Sequence, residues 1–284
     1  MQLVLISGLS GSGKSIALNV LEDAGYYCVD NLPAALLAGL TGHLLREGAE
    51  RVAVAIDMRG GASIAALPAQ LRQLEAGGVA VRFVFLDARD EVLIQRFSET
   101  RRRHPLAVGE RTLEEAIAQE REALDALMGL GHRLDTSHLH PNALRTMIRD
   151  FVAPNGGDGL TLLFESFGFK HGLPLDADLV FDVRCLPNPH YDPALRPLTG
   201  RDAPVADFLQ SQPEVVRMFE DIRRFVADWL PAYIRDNRSY LTVALGCTGG
   251  QHRSVWFAEN LAQHFRNESG TKARVLVRHR TLAQ

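Results

Sequence analysis

The first half of the chain alternates short apolar runs with amphipathic segments of helix length. The apolar runs are QLVLIS, YYCVD, RVAVAID and VAVRFVFLD, and helical patterns cover residues 15–24, 33–47 and 91–100. Strands separated by helix-length segments favour right-handed βαβ units, whose parallel sheet is covered by helices on both faces. We therefore predict an α/β fold with such a sheet for this half.

The second half repeats this alternation on a smaller scale. Turn-forming residues fill APNGGDG at positions 153–159, where we predict the linker between two domains. Beyond it, LTLLFESFGF, ADLVFDVR, SYLTVALGC and ARVLVRHR have the pattern of strands, and residues 213–234 and 254–265 that of helices. The pattern predicts a first domain at residues 1–153 and a second, smaller α/β domain at residues 154–284.

The turn between the first strand and the first helix has the composition of a phosphate-binding loop. It reads GLSGSGKS, which fits the pattern GxxxxGK[ST]. Glycines let backbone N–H groups wrap phosphates, the helix N-terminus adds a positive dipole, Lys14 reaches the terminal phosphates, and Ser15 can bind Mg²⁺. The first domain is therefore predicted to be a P-loop NTPase. Because this loop does not contact the nucleotide base, it does not decide between ATP and GTP. Its nucleotide-binding residues would be Gly8, Leu9, Ser10, Gly11, Ser12, Gly13, Lys14 and Ser15.

A P-loop also needs a carboxylate near the metal, at the end of a neighbouring strand. Three aspartates stand at the ends of strand-like runs, namely Asp30, Asp57 and Asp87. Asp57 also begins DMRG, a short DxxG pattern in which a carboxylate and a glycine N–H can both face a γ-phosphate. We predict that Lys14, Ser15 and Asp57 handle the phosphates, with Ser15 and Asp57 on Mg²⁺. Each aspartate could instead be a solvent-facing residue at the start of a loop.

An arginine-rich segment, RFSETRRRHPL, follows the fourth strand and its helix. P-loop kinases carry a lid at this place, and its arginines close over phosphates and stabilise developing charge. Arg96, Arg101, Arg102 and Arg103 are the candidates for such a lid. The alternative is a cationic helix end, where arginines interact favourably with the helix dipole.

A second glycine-containing loop lies between a strand and a helix in the second half, in the sequence LGCTGGQHRS. Backbone N–H groups, a helix N-terminus and Arg253 converge there, so we expect the loop to bind an anion such as phosphate. Cys247 and Arg253 also have the C-x5-R spacing of cysteine-dependent phosphatases, in which a thiolate attacks phosphorus. Phosphate recognition, phosphatase chemistry and a purely structural turn stay open at this point.

Two histidines, His171 and His190, fall in loops rich in proline and glycine after strand-like runs. Binding residues tend to collect in such loops, although a lone histidine is usually structural or solvated. We favour His190 as a residue of a ligand pocket, because a neighbouring loop at a strand end supplies the candidate anion site.

Composition excludes several classes of protein. The net charge is −3 and 46% of the residues are apolar, which is ordinary for a globular protein. No run approaches the roughly 18 uncharged apolar residues of a membrane helix, and the first residues do not have the pattern of a secretory signal. The three cysteines are too widely spaced for a disulfide framework or a zinc site. We expect a cytoplasmic protein without a membrane partner.

The last residues of the sequence are locally basic. Only Glu268 opposes the basic residues Arg266, Lys272, Arg274, Arg278 and Arg280. A basic segment on a neutral domain can attract the phosphate backbone of RNA, and the alternative is a solvated tail.

The ordered motifs of the chain resemble those of the RapZ family of P-loop nucleotide-binding proteins, or RNase adapters. The motifs are GLSGSGKS, VDNLP, DMRG, RRRHPL, SFGFKHGLP, FDVRCLPNP, LRPLTGRD and YLTVALGCTGGQHRSV. The resemblance implies ATP binding at residues 8–15, low ATPase and GTPase activity, and a homo-oligomer, namely a tetramer. It also implies GTP binding at Asp57, Met58, Arg59 and Gly60.

In the enterobacterial branch, the resemblance implies an adapter that presents small regulatory RNAs to an endoribonuclease and senses glucosamine-6-phosphate. The sugar-phosphate pocket would involve His190, Thr248, Gly249 and Arg253. This sequence departs from the RNA-binding members, because it stops at HRTLAQ where they carry a cluster of lysines and arginines. Each lost phosphate contact weakens RNA affinity.

Two rival functions remain for the chain as a whole. The first is a small-molecule kinase, in which Asp30 acts as base toward an acceptor and residues 101–103 form the lid. The second is an RNA-binding module in which nucleotide binding is incidental.

Overall fold

The chain forms two compact units, Met1–Ala153 and Pro154–Gln284, each with its own sheet and core. The predicted linker at residues 153–159 lies outside the described residues. The computed structural model describes residues 1–57, 64–152, 160–236, 238, 240–268 and 273–282.

The first unit contains a five-stranded, fully parallel sheet in the order β2-β3-β1-β4-β5. Its strands are β1 (Gln2–Gly8), β2 (Tyr27–Val29), β3 (Arg51–Ala55), β4 (Ala80–Asp87) and β5 (His132–Asp135). Its helices are α1 (Lys14–Asp23), α2 (Leu37–Arg46), α3 (Leu67–Ala76), α4 (Asp90–Thr100), α5 (Leu113–Met128) and α6 (Pro141–Val152). The predicted parallel sheet is confirmed.

The strand order places the loop after β1 in the middle of the sheet's carboxyl edge. β1 pairs with β3 on one side and with β4 on the other. In open α/β sheets, ligands bind outside the carboxyl ends of the strands, where the strand order reverses. The order therefore positions GLSGSGKS at the place where this fold binds ligands.

The periodicity missed some elements of the first unit. Helices α3, α5 and α6 and strand β5 were not predicted, and the predicted helix at residues 33–47 begins with a separate 3-10 turn, Ala34–Leu36. Helix α5 has a clear start signal, because Thr112 and Glu115 form a reciprocal capping box. Its buried face is not entirely apolar, because it includes the carboxyl group of Glu120. This interrupts the hydrophobic periodicity of the helix.

The second unit contains a four-stranded parallel sheet in the order β7-β8-β6-β9. Its strands are β6 (Thr161–Gly168), β7 (Leu179–Asp182), β8 (Tyr240–Cys247) and β9 (Arg274–His279). Its helices are α7 (Ala203–Gln210), α8 (Pro213–Arg235) and α9 (Arg253–Asn267), of which α7 was not predicted. The predicted second α/β fold is confirmed.

Apolar side chains from both faces of the central strands build the two cores. In the first unit, Leu5 of β1, Val54 of β3 and Phe85 of β4 are fully buried. In the second, Phe164 of β6 packs against Phe265 of α9, with ring centroids 5.6 Å apart. Burying each such side chain contributes about 1.5–3 kcal/mol. Among the described helices, none has the length and apolar character needed to cross a membrane.

Candidate functional site

The loop after β1 takes the conformation that its glycines permit. Gly13 caps α1 with φ 109°, and a Cβ there would lie 2.6 Å from Leu144 Cδ2. A larger residue would be strained by this φ and would collide with α6. The fully buried Ser12 Oγ has no hydrogen-bond partner among the described residues. A buried hydroxyl group without a partner is costly, and a bound phosphate would satisfy it.

Two cations contact carbonyl groups of this loop. Lys14 Nζ donates a hydrogen bond to the carbonyl oxygen of Gly8. Arg96 Nη1 donates to the carbonyl oxygen of Gly11 at 3.0 Å, and its Nη2 donates to that of Thr136 at 2.6 Å. Arg96, which also lines the cleft, therefore ties α4 to the loop and to the residue after β5.

A buried carboxylate supports the loop from behind. Glu120 Oε2 accepts a hydrogen bond from the Ser10 backbone N–H at 2.8 Å, and its Oε1 accepts one from Ser10 Oγ at 2.8 Å. His104 Nε2 lies 3.1 Å from Glu120 Oε2, and its Nδ1 accepts the backbone N–H of Leu106 at 3.1 Å. Since Nδ1 is an acceptor, the neutral imidazole carries its hydrogen on Nε2, and this N–H donates a hydrogen bond to Glu120.

Opposing effects act on the Glu120 carboxyl group. Burial disfavours its charged form, whereas the hydrogen bond from His104, the charge of Lys14 and the hydrogen bonds from Ser10 favour it. The balance holds the pKa of Glu120 below its usual value. The carboxylate is therefore charged at neutral pH while it is 1% exposed.

The structure separates the three candidate aspartates. Asp57 and Asp30 both line a cleft of about 730 Å³ together with Lys14 and Ser15. Asp87 is fully buried in ion pairs with Arg121 and Arg133 and is not among the residues that line the cleft. Its role is therefore to connect β4 with α5 and β5. The other three residues of DMRG, Met58, Arg59 and Gly60, lie outside the described residues.

The cleft offers ligands that suit Mg²⁺. The hydroxyl group of Ser15 and the carboxylate of Asp57 are hard oxygen donors, and both line the cleft. Mg²⁺ typically takes one or two protein oxygens together with substrate phosphates and water. Among the described residues, no cluster of three or more His, Cys, Asp or Glu side chains could hold a metal ion. A bound phosphate would have to complete the coordination.

The arginine-rich segment is divided between two roles. Arg101 ends α4 in a left-handed conformation with φ 52°. Arg102 and Arg103 line the cleft, whereas His104 is buried against Glu120. Arg96 of the same segment also lines the cleft, so the segment presents three arginines to it and places His104 at Glu120, which supports the loop.

The loop between β8 and α9 folds around the sulfur of Cys247. The Gly250 N–H donates to Sγ at 3.2 Å, and Ser254 Oγ lies 3.2 Å from Sγ. Gly250 has φ 74°, and a Cβ there would lie 2.2 Å from Thr281 Oγ1, so a larger side chain does not fit. Cys247 is 3% exposed.

Several groups influence the Cys247 thiol. Burial opposes its ionisation, but the hydrogen bonds from Ser254 and Gly250 and the charge of Arg253 favour the thiolate. Together they hold the pKa of Cys247 below its usual value. The sulfur contacts Gly250 and Ser254 of its own loop, so it holds the loop in shape.

Arg253 is buried and connects two segments. Its Nη1 donates to the carbonyl oxygens of Arg184 and Leu186, each at 2.8 Å, and Nε has no partner among the described residues. Burial lowers the pKa of Arg253, with nearby acidic groups acting in the opposite sense. One side of the guanidinium group is therefore used in the fold, and the Nε–H is buried.

Of the predicted sugar-phosphate residues, His190 lies near the residue that precedes Arg253, where α9 begins. His190 is exposed, and its ring centroid lies 6.2 Å from that of the buried His252, which precedes Arg253. In the loop after β8, Thr248 is exposed and Gly249 is half-buried. Lys170, which the sequence analysis did not single out, has its Nζ 4.0 Å from where a Cβ on Gly249 would lie.

The predicted RNA-binding residues do not form one exposed surface. Arg278 is 7% exposed and pairs with Glu165 at 3.1 Å and Asp176 at 3.3 Å, so its charge is held inside the unit. Arg266 is exposed, whereas Arg274 and Arg280 are half-buried. The remaining predicted residue, Lys272, lies outside the described residues.

Two family descriptions together match nearly the whole chain. Residues 1–156 match the RapZ-like N-terminal domain, and residues 160–283 match the RapZ C-terminal domain. The chain belongs to the RapZ family. A relative named "Nucleotide-binding protein azo0399", from Azoarcus sp. (strain BH72), is 66% identical over all of this chain and 96% of its own. "Nucleotide-binding protein AZOSEA20610", from Aromatoleum aromaticum (strain DSM 19018 / LMG 30748 / EbN1), has the same identity and coverage.

Solved structures are similar to part of this RapZ-family chain. A shikimate kinase from Bacteroides thetaiotaomicron is 15% identical, with a TM-score of 0.36 over 53% of this chain and 97% of its own. A sugar kinase from Janibacter sp. HTCC2649 is 20% identical, with a TM-score of 0.36 over 54% of this chain and 96% of its own.

Sequence reasoning on this RapZ-family member missed the support of the P-loop. Glu120 occupies a core position of α5, between the buried Ile117 and Leu124. A carboxylate on the apolar face of an amphipathic helix signals a buried partner, because burying an unpaired charge is too costly. The partners Ser10 and His104 are distant in sequence, so the periodicity could not identify them.

Proposed function

We propose that the first unit binds ATP and GTP with Mg²⁺ and hydrolyses them slowly, as a regulator. The observation that carries this proposal is the cleft, which brings the P-loop, Lys14, Ser15 and Asp57 together. The buried Ser12 hydroxyl group without a protein partner supports a phosphate ligand. The name of the relative from Azoarcus agrees with nucleotide binding.

Each residue of the cleft has a physical role in this proposal. Backbone N–H groups of the loop and the N-terminus of α1 would hold the phosphates. Lys14 would neutralise charge on the terminal phosphates, and Ser15 and Asp57 would hold Mg²⁺. When bound, the metal stabilises negative charge on the phosphate oxygens. Arg102 and Arg103 line the cleft and would add positive charge.

A small-molecule kinase is the second candidate, because Asp30 lines the same cleft as Lys14. In that reaction an acceptor hydroxyl oxygen would attack the γ-phosphorus, the bond to the bridging oxygen would break, and Asp30 would accept the hydroxyl proton. The two candidates share the bound nucleotide and differ in what attacks it.

Steady-state kinetics distinguish the two candidates. We expect hydrolysis orders of magnitude slower than the roughly 1–100 per second of kinases, unchanged by added sugar or polyol acceptors. A coupled ADP assay and ³¹P NMR of the products measure both quantities. Transfer to an acceptor at kinase rates, lost in Asp30→Asn, would instead establish the kinase.

For the second unit, we propose binding of a sugar phosphate, with glucosamine-6-phosphate as the ligand. The support is the loop with the exposed Thr248 and the half-buried Gly249, which lies near the cationic Lys170. The Nε–H of Arg253 has no partner among the described residues. Charge-assisted hydrogen bonds from such groups suit a phosphate, and His190 would contact the sugar. We prefer recognition to phosphatase chemistry, because the Cys247 sulfur is buried and holds the loop.

Gly249 offers a sharper test of this pocket than Arg253, which also holds two carbonyl groups. A Cβ on Gly249 has Lys170 Nζ at 4.0 Å as its nearest neighbour, so the protein accommodates Gly249→Ala. The added methyl group would stand where a phosphate approaches the backbone. We expect at least about a tenfold loss of affinity for glucosamine-6-phosphate by calorimetry, or ~1.4 kcal/mol, with an unchanged Tm.

The control for this test is Gly39→Ala, at a helical glycine with open space around it. It should leave sugar-phosphate affinity unchanged. Equal affinity of Gly249→Ala and the unaltered protein would rule out the pocket at this loop.

We further propose that the second unit contacts a small regulatory RNA, which it presents to an endoribonuclease as part of a homo-oligomer, a tetramer. The exposed Arg266 and the half-buried Arg274 support a phosphate contact, while the buried Arg278 takes no part. RNA affinity should therefore fall with salt, and a plot of log K against log salt without slope contradicts the contact.

A further inference from the structure

Four polar side chains of the second unit form a chain of hydrogen bonds outside the predicted sugar-phosphate pocket. Ser166 Oγ lies 2.7 Å from His279 Nδ1, and His279 Nε2 lies 3.0 Å from Glu259 Oε1. Arg201 Nε donates to the same oxygen of Glu259 at 2.7 Å. We call these four residues the Glu259 network. It joins β6, β9 and α9 to the segment that precedes α7.

The donors and acceptors of the Glu259 network determine where its hydrogens lie. Burial lowers the pKa of His279, as does the charge of Arg201, whereas Glu259 acts in the opposite sense. The ring is therefore neutral at neutral pH. Its Nε2–H donates to the Glu259 carboxylate, and the lone pair of Nδ1 accepts the hydroxyl hydrogen of Ser166. Protonation of His279 would remove that acceptor.

The network has the composition of a Ser-His-acid catalytic triad, but its place in the fold does not suit nucleophilic catalysis. Ser166 is fully buried in β6, and His279 is 7% exposed. A nucleophilic hydroxyl group has to reach the substrate atom that it attacks. The network therefore acts through the segments that it holds in position.

One of these segments packs against the loop after β8. The N–H of Gly200, the neighbour of Arg201, donates to the carbonyl oxygen of Gln251 at 2.9 Å. A Cβ on Gly200 would lie 2.2 Å from the carbonyl oxygen of His252, so only glycine permits this close approach. Arg201 fixes the segment to Glu259 of α9.

The second segment follows β9 and packs against the same loop. The Arg280 N–H donates to the Ser166 carbonyl oxygen at 3.0 Å, so backbone and side-chain contacts both join β9 to β6 beside His279. Thr281 Oγ1 lies 2.2 Å from the place of a Cβ on Gly250. Because Gly250 belongs to the loop, the position of Thr281 limits the position of the loop.

We propose that Glu259 and His279 are positioning residues for the loop after β8. By holding the segments around Gly200 and Thr281, they keep the loop in the shape in which its backbone N–H groups face a phosphate. This inference rests on the proposed sugar-phosphate binding and adds the residues that hold the binding loop in place.

Glu259→Gln in the full-length protein tests the proposal, because it keeps the size of the side chain and removes the charge that holds Arg201. We expect the affinity for glucosamine-6-phosphate to fall about threefold to thirtyfold by calorimetry, the range typical of residues that act on a ligand without touching it. Hydrogen exchange should become faster in peptides that contain residues 248–252. Glu214→Gln, at an exposed glutamate in the first turn of α8, is the matched control and should change neither quantity.

Arg201→Ala keeps the test decisive if Glu259→Gln fails to fold, because Arg201 is exposed. We expect weaker binding and faster exchange of the loop here as well. Arg201→Lys should restore affinity at least in part, since its ammonium group can again pair with Glu259. A loss in Arg201→Ala that lysine does not reduce contradicts the role of this ion pair.

The pH profile separates positioning from a purely structural role. His279→Gln keeps an amide N–H for Glu259 but does not titrate. As the pH falls below the usual pKa of histidine, we expect the affinity of the unaltered protein to drop relative to that of His279→Gln, because protonation breaks the contact with Ser166. Arg201 and Glu259 are the charged groups that act on His279, and the ligand phosphate titrates in both experiments. An affinity ratio that does not change with pH contradicts the proposal.

The outcomes separate this proposal from the one on which it rests. If the unaltered protein does not bind glucosamine-6-phosphate, the proposed function of the second unit is wrong, and hydrogen exchange of the loop then decides the positioning role. Unchanged exchange together with unchanged affinity in Glu259→Gln and Arg201→Ala overturns the positioning role alone. Faster exchange with weaker binding supports both.

Discussion

Lys14→Ala is expected to lower the rate of ATP and GTP hydrolysis about 10²- to 10³-fold, or ~2.7–4 kcal/mol of transition-state stabilisation. Lys14 lines the cleft and is held at the loop by its hydrogen bond to Gly8. Charge develops on the phosphate oxygens during transfer, and a positioned ammonium group stabilises it without reorganisation. Single-turnover hydrolysis with radiolabelled nucleotide measures the effect.

The matched control removes a cation that does not face the cleft. Arg72 is exposed on α3, and Arg72→Ala should retain the full rate. Circular dichroism should show the same fold for both variants. If Lys14→Ala hydrolyses nucleotide at the unaltered rate, the hydrolysis does not occur at the P-loop.

Glu120→Ala is expected to destabilise the first unit by about 3–5 kcal/mol, the usual cost of removing one partner from a buried charged network. Ser10 would lose the acceptor of both its N–H and its hydroxyl group, and His104 would lose its partner. Buried donors without acceptors carry the full desolvation penalty. Urea unfolding measures the loss, and hydrogen exchange should show faster opening of peptides that contain Ser10.

The control for this change is Glu122→Ala, at an exposed glutamate of the same helix. Its effect should stay within about 0.5 kcal/mol. Because the pKa of Glu120 is lowered in the folded state, its contribution is present above the pKa of the unfolded chain. Stability should therefore fall as the pH drops through the acid range in the unaltered protein, and less so in Glu120→Ala. An equal acid sensitivity of the two proteins would contradict the role of this carboxylate.

The candidate aspartates show where sequence reasoning reaches its limit. Asp30, Asp57 and Asp87 all follow apolar runs, so their local patterns are nearly the same. What differs is the neighbouring strand and the partners that approach from distant helices. Arg121 and Arg133 lie 34 and 46 residues beyond Asp87 in the sequence. Both bind the Asp87 carboxylate, which is therefore held away from the cleft.

The two arginines of β9, Arg274 and Arg278, also differ in a way that their local sequence does not show. In the sequence, Arg274 and Arg278 lie in the same short run, ARVLVRHR, and nothing in that run distinguishes a buried arginine from an exposed one. In the fold, Arg278 faces Glu165 of β6, the adjacent strand, and Asp176. Charge counted along a segment therefore overestimates the charge available to a partner, because buried ion pairs remove part of it.

The sequence by itself determined the two α/β units, the P-loop and the glycine-containing loop after β8. Those features depend on local periodicity and on glycines at short spacing, which a single stretch of chain carries. Only the tertiary structure decided which aspartates line the cleft, that Glu120 and His104 support Ser10, and that Arg278 is buried. These depend on contacts between residues far apart in the chain, and packing alone brings such residues together.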